Sequence, residues 1–252
     1  MSWSSERKNK YLFLMFSIIL VIVGFFSYSI FYTAPTCTDG KLNQGEEGID
    51  CGGPCEIICS FKTIDPIIKW SRAVETTEGI FGAVALIENA NTYAEADKVP
   101  YVFKLYDKEG LLINEKRGEV YILNNSIFPI FEGNLKVGNR IPTRATFEFL
   151  KKPQWVETKE LNAPVTLSNI QYVERNNSPR VSATIKNNSV KDIKKVELIV
   201  LLYDIENNLV NSSKTTLDVL KKDSSEIVIF TWPDLFEKEV IKIDIVPVSK
   251  LH

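Results

Sequence analysis

Histidine is almost absent from this chain of 252 residues, whose single imidazole belongs to the last residue, His252. Catalytic schemes that need an internal imidazole are excluded, among them the Ser/His/Asp triad, the Cys/His pair and a His-ligated zinc site. A glycine-rich phosphate loop is also missing, and no pair of carboxylates stands apart from the surface and turn charges. We therefore expect a protein that is not an enzyme, with no catalytic and no cofactor-binding residues.

A basic excess is missing from the part of the chain that should fold. The net charge of the whole chain is −2. Residues 1–36 carry +2, from Glu6 against Arg7, Lys8 and Lys10, and residues 37–59 carry −4, from five carboxylates against Lys41. Residues 60–252 therefore sum to zero. Nucleic-acid binding proteins need positive charge to neutralise phosphates, so we expect no nucleic-acid partner.

One long stretch, residues 11–32, contains no charged side chain. Its 22 residues would reach roughly 33 Å as a helix, enough to cross the hydrocarbon layer of a membrane. Tyrosines lie near both ends of the stretch, and basic residues precede it: Tyr11, Tyr28 and Tyr32, and Arg7, Lys8 and Lys10. The positive-inside rule then predicts a cytoplasmic tail over residues 1–10 and a transmembrane helix over 11–32.

The expected location is thus the cell membrane, crossed once, with the N-terminus in the cytoplasm and the C-terminal domains outside it. A cleaved secretory signal and a lipoprotein signal are the alternatives. Both would still export residues 37–252.

All four cysteines lie within 23 residues, as Cys37, Cys51, Cys55 and Cys59. On the outer side of a membrane disulfides persist, and this glycine-rich segment, residues 33–60, is too short to bury a core of its own. We therefore predict two disulfides, in any of the three possible connectivities. A four-thiolate zinc or iron–sulfur site is the competing interpretation.

Oxygen ligands are closely spaced between the first two cysteines, at Asp39, Asn43, Glu46 and Asp50. Hard cations bind such groups in glycine-kinked loops, so these four residues form a candidate calcium site, although no cofactor is required. Lys41 and Gln44 break the EF-hand pattern. The alternative is a solvated acidic turn whose Asp and Asn side chains bond their own backbone.

The surrounding run, DGKLNQGEEGIDCGGPC, resembles a cysteine-rich motif of exported and surface-anchored prokaryotic proteins. The resemblance covers this segment alone. It implies an extracytoplasmic location and a linker or small-module role, and no reaction.

After Cys59 the sequence consists of short β-prone runs, broken by turn residues every 8 to 12 positions. Residues 101–113 (YVFKLYDKEGLLI) align with residues 198–210 (LIVLLYDIENNLV) at an offset of 97. Upstream, residues 85–89 align with residues 183–187. A period of this length is typical of an immunoglobulin-like sandwich. We predict an all-β fold of two tandem immunoglobulin-like β-sandwiches, over residues 61–156 and 157–252.

The run Phe103-Lys104-Leu105-Tyr106-Asp107 resembles the signature of the FxLYD family of β-sandwich domains. The second copy, residues 200–204, departs from that signature at its first position only. The two aspartates, Asp107 and Asp204, are followed by turn residues, so we expect them to form turns rather than act as acids. The resemblance implies no chemistry for them.

These features favour a membrane-anchored, extracytoplasmic, non-catalytic protein with a binding or structural role in the cell envelope. Its partners would be the membrane and a protein or another envelope component. An accessory subunit of an envelope assembly, secretion or pilus machine is the alternative. A fold by itself does not distinguish the two.

Overall fold

The apolar N-terminal stretch forms one helix, α1 (Trp3–Phe31). The structure is a computed structural model that describes residues 3–31, 37–158, 165–175 and 178–248. Within α1, the segment Lys8–Ile30 is 23 residues long and apolar enough to cross a membrane, and it is not buried by the rest of the protein. Of the predicted span, Tyr32 lies outside the described residues. A single N-terminal helix of this kind fits a single-pass anchor.

The rest of the described chain is almost entirely β-structure. Strands hold 54% of the residues and helix 12%, so the predicted all-β class with one N-terminal apolar helix is confirmed. A short 3-10 helix, Ser60–Lys62, precedes the first strand. The strands are β1 (Ile67–Thr77), β2 (Ile80–Asn89), β3 (Ala94–Tyr106), β4 (Leu112–Ile122), β5 (Ser126–Lys136), β6 (Arg144–Phe149), β7 (Val156–Glu157), β8 (Val165–Arg175), β9 (Ser178–Asn187), β10 (Ile193–Tyr203), β11 (Leu209–Leu220), β12 (Ser225–Thr231) and β13 (Lys242–Pro247).

The strands form two sandwiches with the same strand order. In the first, the antiparallel sheet β1-β2-β5 faces the sheet β4-β3-β6, and the short β7 also pairs with β3. In the second, the corresponding sheets are β8-β9-β12 and β11-β10-β13. The strands β8 to β13 thus repeat the arrangement of β1 to β6, each strand corresponding to the one seven positions earlier.

The chain forms two compact units, Met1–Cys55 and Glu56–His252, and both sandwiches belong to the second. The sequence-based boundary between residues 156 and 157 falls inside β7. Because β7 pairs with β3, it belongs to the first sandwich.

Alternating residues on the central strands fill the two sandwich interiors. Phe103 and Leu105 of β3 are fully buried in the first, and Val200 and Leu202 of β10 are fully buried in the second. The next residue in each copy, Tyr106 or Tyr203, lies under a cation: the Arg144 guanidinium is 4.7 Å from one ring centre and the Lys242 ammonium is 5.1 Å from the other. The F-x-L-Y-D pattern thus supplies core side chains followed by a ring that a cation covers.

The aspartate that ends this pattern forms the next turn in both copies, as expected. Asp107 Oδ1 accepts hydrogen bonds from the amides of Glu109 (3.1 Å) and Leu111 (2.8 Å). Asp204 Oδ1 likewise accepts from the amides of Glu206 (2.9 Å) and Asn208 (2.8 Å). These are the side-chain-to-backbone bonds of a tight turn.

A cation from a later loop holds the second oxygen of each aspartate. Arg140 pairs with Asp107, and the Lys238 ammonium lies 2.9 Å from Asp204 Oδ2. The Lys238 contact lowers the pKa of Asp204 to about 2, against the effect of burial and with help from Asn208. Burial would raise the pKa of Asp107, but the Leu111 amide and Arg140 together lower it. Charged hydrogen bonds therefore favour the ionised form of both groups.

We expect Asp204 to make the protein less stable in acid. Because its pKa is lower in the folded chain than in the unfolded chain, its contribution is present above about pH 4 and is lost as the pH falls towards 2. Thermal unfolding measured from pH 6 to pH 2.5 should show a smaller decrease in Tm for Asp204→Asn than for the parent. Asp223 is exposed and forms no ion pair with a described residue, so Asp223→Asn should keep the parental pH dependence. An unchanged slope in Asp204→Asn would contradict the expectation.

Two corresponding strands, β2 and β9, each end in a buried asparagine that hydrogen-bonds to neighbouring segments. Asn89 Nδ2 donates to the carbonyl oxygens of Ala94 (2.9 Å) and Leu123 (2.8 Å). Asn187 Nδ2 donates to those of Lys191 (2.8 Å), Leu220 (3.1 Å) and Lys221 (3.2 Å). Each amide satisfies carbonyl oxygens of loops and strand ends near the edge of the sandwich.

The two sandwiches pack against each other through the outer faces of two sheets. On β10 the residues that alternate with the interior set, Ile199, Leu201 and Tyr203, join the buried cluster of the first sandwich. On β2 the outward-facing Val84 is 0% exposed and belongs to the same cluster. The sheet β1-β2-β5 is therefore covered on both sides. We call the contact between the sandwiches the seam.

Candidate binding cleft and the disulfide-bonded segment

Every cysteine is disulfide-bonded. Cys37 bonds to Cys55, with their Cα atoms 5.6 Å apart, and the two remaining cysteines, Cys51 and Cys59, are bonded as well. The predicted pair of disulfides is confirmed. Glu46 lies with Cys37 and Cys55 in a group spaced like metal ligands. Sulfurs in a disulfide carry no thiolate charge, so this group does not offer a thiolate metal site.

The candidate calcium ligands bond mainly to the protein itself. Both oxygens of Asp50 accept hydrogen bonds from the Gly40 amide (3.1 and 3.0 Å), and Oδ1 also accepts from the amide of Asp39 (3.0 Å). Asp39 accepts from the Lys41 amide and from Asn43 Nδ2, each at 2.9 Å. Glu46 Oε2 accepts from the Asn43 amide at 3.3 Å.

These bonds match the acidic turn better than a calcium site. Among the described residues, the only group of three or more potential His, Cys, Asp or Glu ligands within 4.8 Å contains the disulfide sulfurs, so the carboxylates of Asp39, Glu46 and Asp50 do not converge. A calcium ion needs six to eight oxygens around one point. Asn43 Oδ1 is buried without a partner, but one amide oxygen does not complete such a set. Calcium binding at these four residues stays a prediction.

A recess of about 360 Å³ opens at one end of the seam, and we call it the seam cleft. One wall is the end of β1 with the turn that follows it, residues 73–78. The other is formed by the start of β11, residues 209–211, and by residues 234–238 of the loop before β13. Within the described part of the chain, β1 and β11 are edge strands of their sheets, so each has a side without a neighbouring strand there.

Buried hydrogen bonds fix the base of the seam cleft. Asn211 Nδ2 donates to the carbonyl oxygen of Glu75 at 2.7 Å, and Asn211 Oδ1 accepts from Trp232 Nε1 at 3.1 Å. The Trp232 ring in turn packs edge-on against Phe236, with ring centres 5.3 Å apart. Asn211 and Trp232 are both buried, and this chain of contacts joins the two sandwiches.

Carboxylates dominate the rim of the seam cleft. Glu75, Glu78, Asp234 and Glu237 are all exposed, and none forms an ion pair with a described residue. The single cation of the lining, Lys238, is already paired with Asp204. The floor is apolar, with Val74, Leu209 and Phe236 among its side chains. The cleft therefore combines an apolar base with an uncompensated negative rim.

A second recess, of about 300 Å³, lies along the seam between β4, β5 and β10. The hydroxyl of the buried Tyr101 donates there to Glu132 Oε1 at 2.7 Å. Burial is the main cause that raises the pKa of Tyr101, and the contact with Glu132 raises it further. A Cβ atom at Gly118 would lie 2.4 Å from the Tyr101 hydroxyl, so glycine is required for the close approach. Glu197 and Lys214 add charges of both signs, so this recess has no charge preference comparable to that of the seam cleft.

No family model matches this chain, and no curated protein matches it either. Among solved structures, a β-glucuronidase from glycoside hydrolase family 2 is similar with 10% sequence identity and a TM-score of 0.21. The match covers 86% of this chain and 29% of that structure. A likeness at this level carries no argument about function.

The sequence did not reveal the seam cleft. Its acidic residues come from two places about 160 positions apart, Glu75 and Glu78 in the first sandwich and Asp234 and Glu237 in the second. No local motif links them. The outward apolar residues of β10 suit a sheet that is covered on both faces, but such residues are also common on free surfaces.

Proposed function

We propose that this chain is a membrane-anchored, extracytoplasmic, non-catalytic protein that binds a partner or builds structure in the cell envelope. The observation that carries the proposal is the state of the cysteines. All four are disulfide-bonded, and they follow the apolar helix directly. Disulfides persist in oxidising compartments, so they support export of the chain beyond the helix.

The orientation rests on charge. Lys8 and Lys10 are exposed at the N-terminal end of the apolar segment, and Arg7 precedes them in the sequence. The segment that follows the helix is acidic. Basic flanks remain on the cytoplasmic side, so the sandwiches lie outside.

We further propose that the two sandwiches are duplicated FxLYD-type domains. Their common strand order supports duplication, and so do three pairs of corresponding residues: Tyr106 and Tyr203, Asp107 and Asp204, and Asn89 and Asn187. Each pair makes the same kind of contact in its own sandwich. Since those contacts are structural, they support a scaffold that presents its seam and loops to partners.

Protease treatment of intact spheroplasts tests the location. With tags at both termini, added protease should remove the C-terminal tag and leave the N-terminal tag intact, because only the C-terminal part is outside. A cytoplasmic protein is the control for intact membranes. Loss of the N-terminal tag together with survival of the sandwiches would contradict the proposed orientation.

A further inference from the structure

The seam cleft has the features of a docking site for a positively charged chain segment. Its floor offers apolar side chains from both sandwiches, and Leu235 at its edge is 48% exposed. Its rim has four carboxylates without counter-charges among the described residues. An apolar floor gives affinity, and a rim of one charge selects a partner of the opposite charge.

The walls favour an extended occupant. Both β1 and β11 are edge strands, whose free sides can hydrogen-bond to an added chain.

A bound cation accounts for these features less well. The four carboxylates are not among the groups close enough to hold an ion. An ion would also leave the apolar floor and Leu235 without a partner.

We propose that the seam cleft binds an extended segment of a partner protein in which lysine or arginine alternates with apolar residues. The basic side chains face the rim, and the apolar ones pack on Leu235 and the floor. This inference rests on the proposed binding role of the protein. It adds the place of binding and the chemistry of the partner.

The test uses the full chain in nanodiscs of phosphatidylcholine, a lipid without net charge and therefore without electrostatic attraction for cationic peptides. The probe is a fluorescent nine-residue peptide of alternating lysine and leucine, and the reference is its glutamate–leucine counterpart. Fluorescence anisotropy in 50 mM NaCl should show binding of the lysine peptide alone. Affinity should decrease as salt is raised, because salt screens exposed charges.

Two matched triple variants locate the site. The first variant should weaken binding about tenfold, and it combines Glu75→Gln, Glu78→Gln and Glu237→Gln. The second variant removes the same charge from exposed positions outside the cleft, through Asp218→Asn, Asp223→Asn and Glu226→Gln. It should change affinity less than twofold. Leu235→Ser should weaken binding about threefold, whereas Ile141→Ser, at another exposed apolar residue, should have no effect.

Equal weakening by the two triple variants would reduce the effect to overall charge and overturn the proposal. Equal binding of both peptides, or no binding of the lysine peptide, would overturn it too. The spheroplast experiment does not depend on peptide binding, so a failure of the cleft and a failure of the proposed location are told apart.

Discussion

Leu201→Lys is expected to lower the free energy of unfolding by roughly 3–5 kcal/mol, the cost of leaving a buried charge without a partner in place of a packed leucine. Leu201 is 2% exposed and packs in the seam with the buried cluster of the first sandwich. A lysine there places an ammonium group among apolar side chains. Urea unfolding of the full chain in detergent micelles measures the change.

The chain supplies its own control for this substitution. Lys104 occupies the position of β3 that corresponds to Leu201 of β10. No other described sheet covers its face of β3, and its ammonium lies 3.4 Å from Glu148 Oε2. Lys104→Leu should change stability by no more than about 0.5 kcal/mol, as is usual for surface sites. If both substitutions had the same small effect, the seam would not be a packed interface in solution.

Asn187→Asp is expected to cost about 2–4 kcal/mol at neutral pH, because a buried group would lose its hydrogen bonds and gain a charge. Asn187 is 0% exposed, and its Nδ2 group faces three carbonyl oxygens. In the variant an oxygen replaces this donor and is repelled by all three. Denaturant unfolding at pH 7 measures the loss.

The neighbouring residue provides the control for size and charge. Asn188 is exposed, and its amide contacts the Thr166 hydroxyl at 3.2 Å, so Asn188→Asp should stay close to the parent. The loss in Asn187→Asp should shrink as the pH falls, because a protonated carboxyl can donate one hydrogen bond again. A loss of equal size in both variants would show that the added charge matters rather than the buried contacts.

The local features were predictable because each depends on residues close together in the chain. The apolar run forms a helix from Trp3 to Phe31, which begins well before the predicted span because a helix continues into its polar flank. Asp107 and Asp204 form turns, since a carboxylate can reach amides two and four residues later. The short β-prone runs around Phe103 and Val200, each followed by turn residues, indicated strands.

The partner of a given cysteine was not predictable, since four thiols within 23 residues satisfy any of three pairings. The bond between Cys37 and Cys55 required the path of the chain between them. The acidic loop was ambiguous for a similar reason. The same Asp and Asn side chains can face a cation or their own backbone, and coordinates are needed to see that Asp50 faces the amides of Asp39 and Gly40.

The sequence by itself determined the anchor helix, the all-β class, the turns and the oxidised cysteine segment, because hydrophobic length, period-two alternation and short-range hydrogen bonds are local properties. Tertiary structure alone decided that the sandwiches share a seam and that the acidic cleft opens at its end. Corresponding outward positions hold Lys104 in one copy and Leu201 in the other. An apolar residue on a sheet face is common on free surfaces as well, so only the packing of the two sheets shows which face is covered.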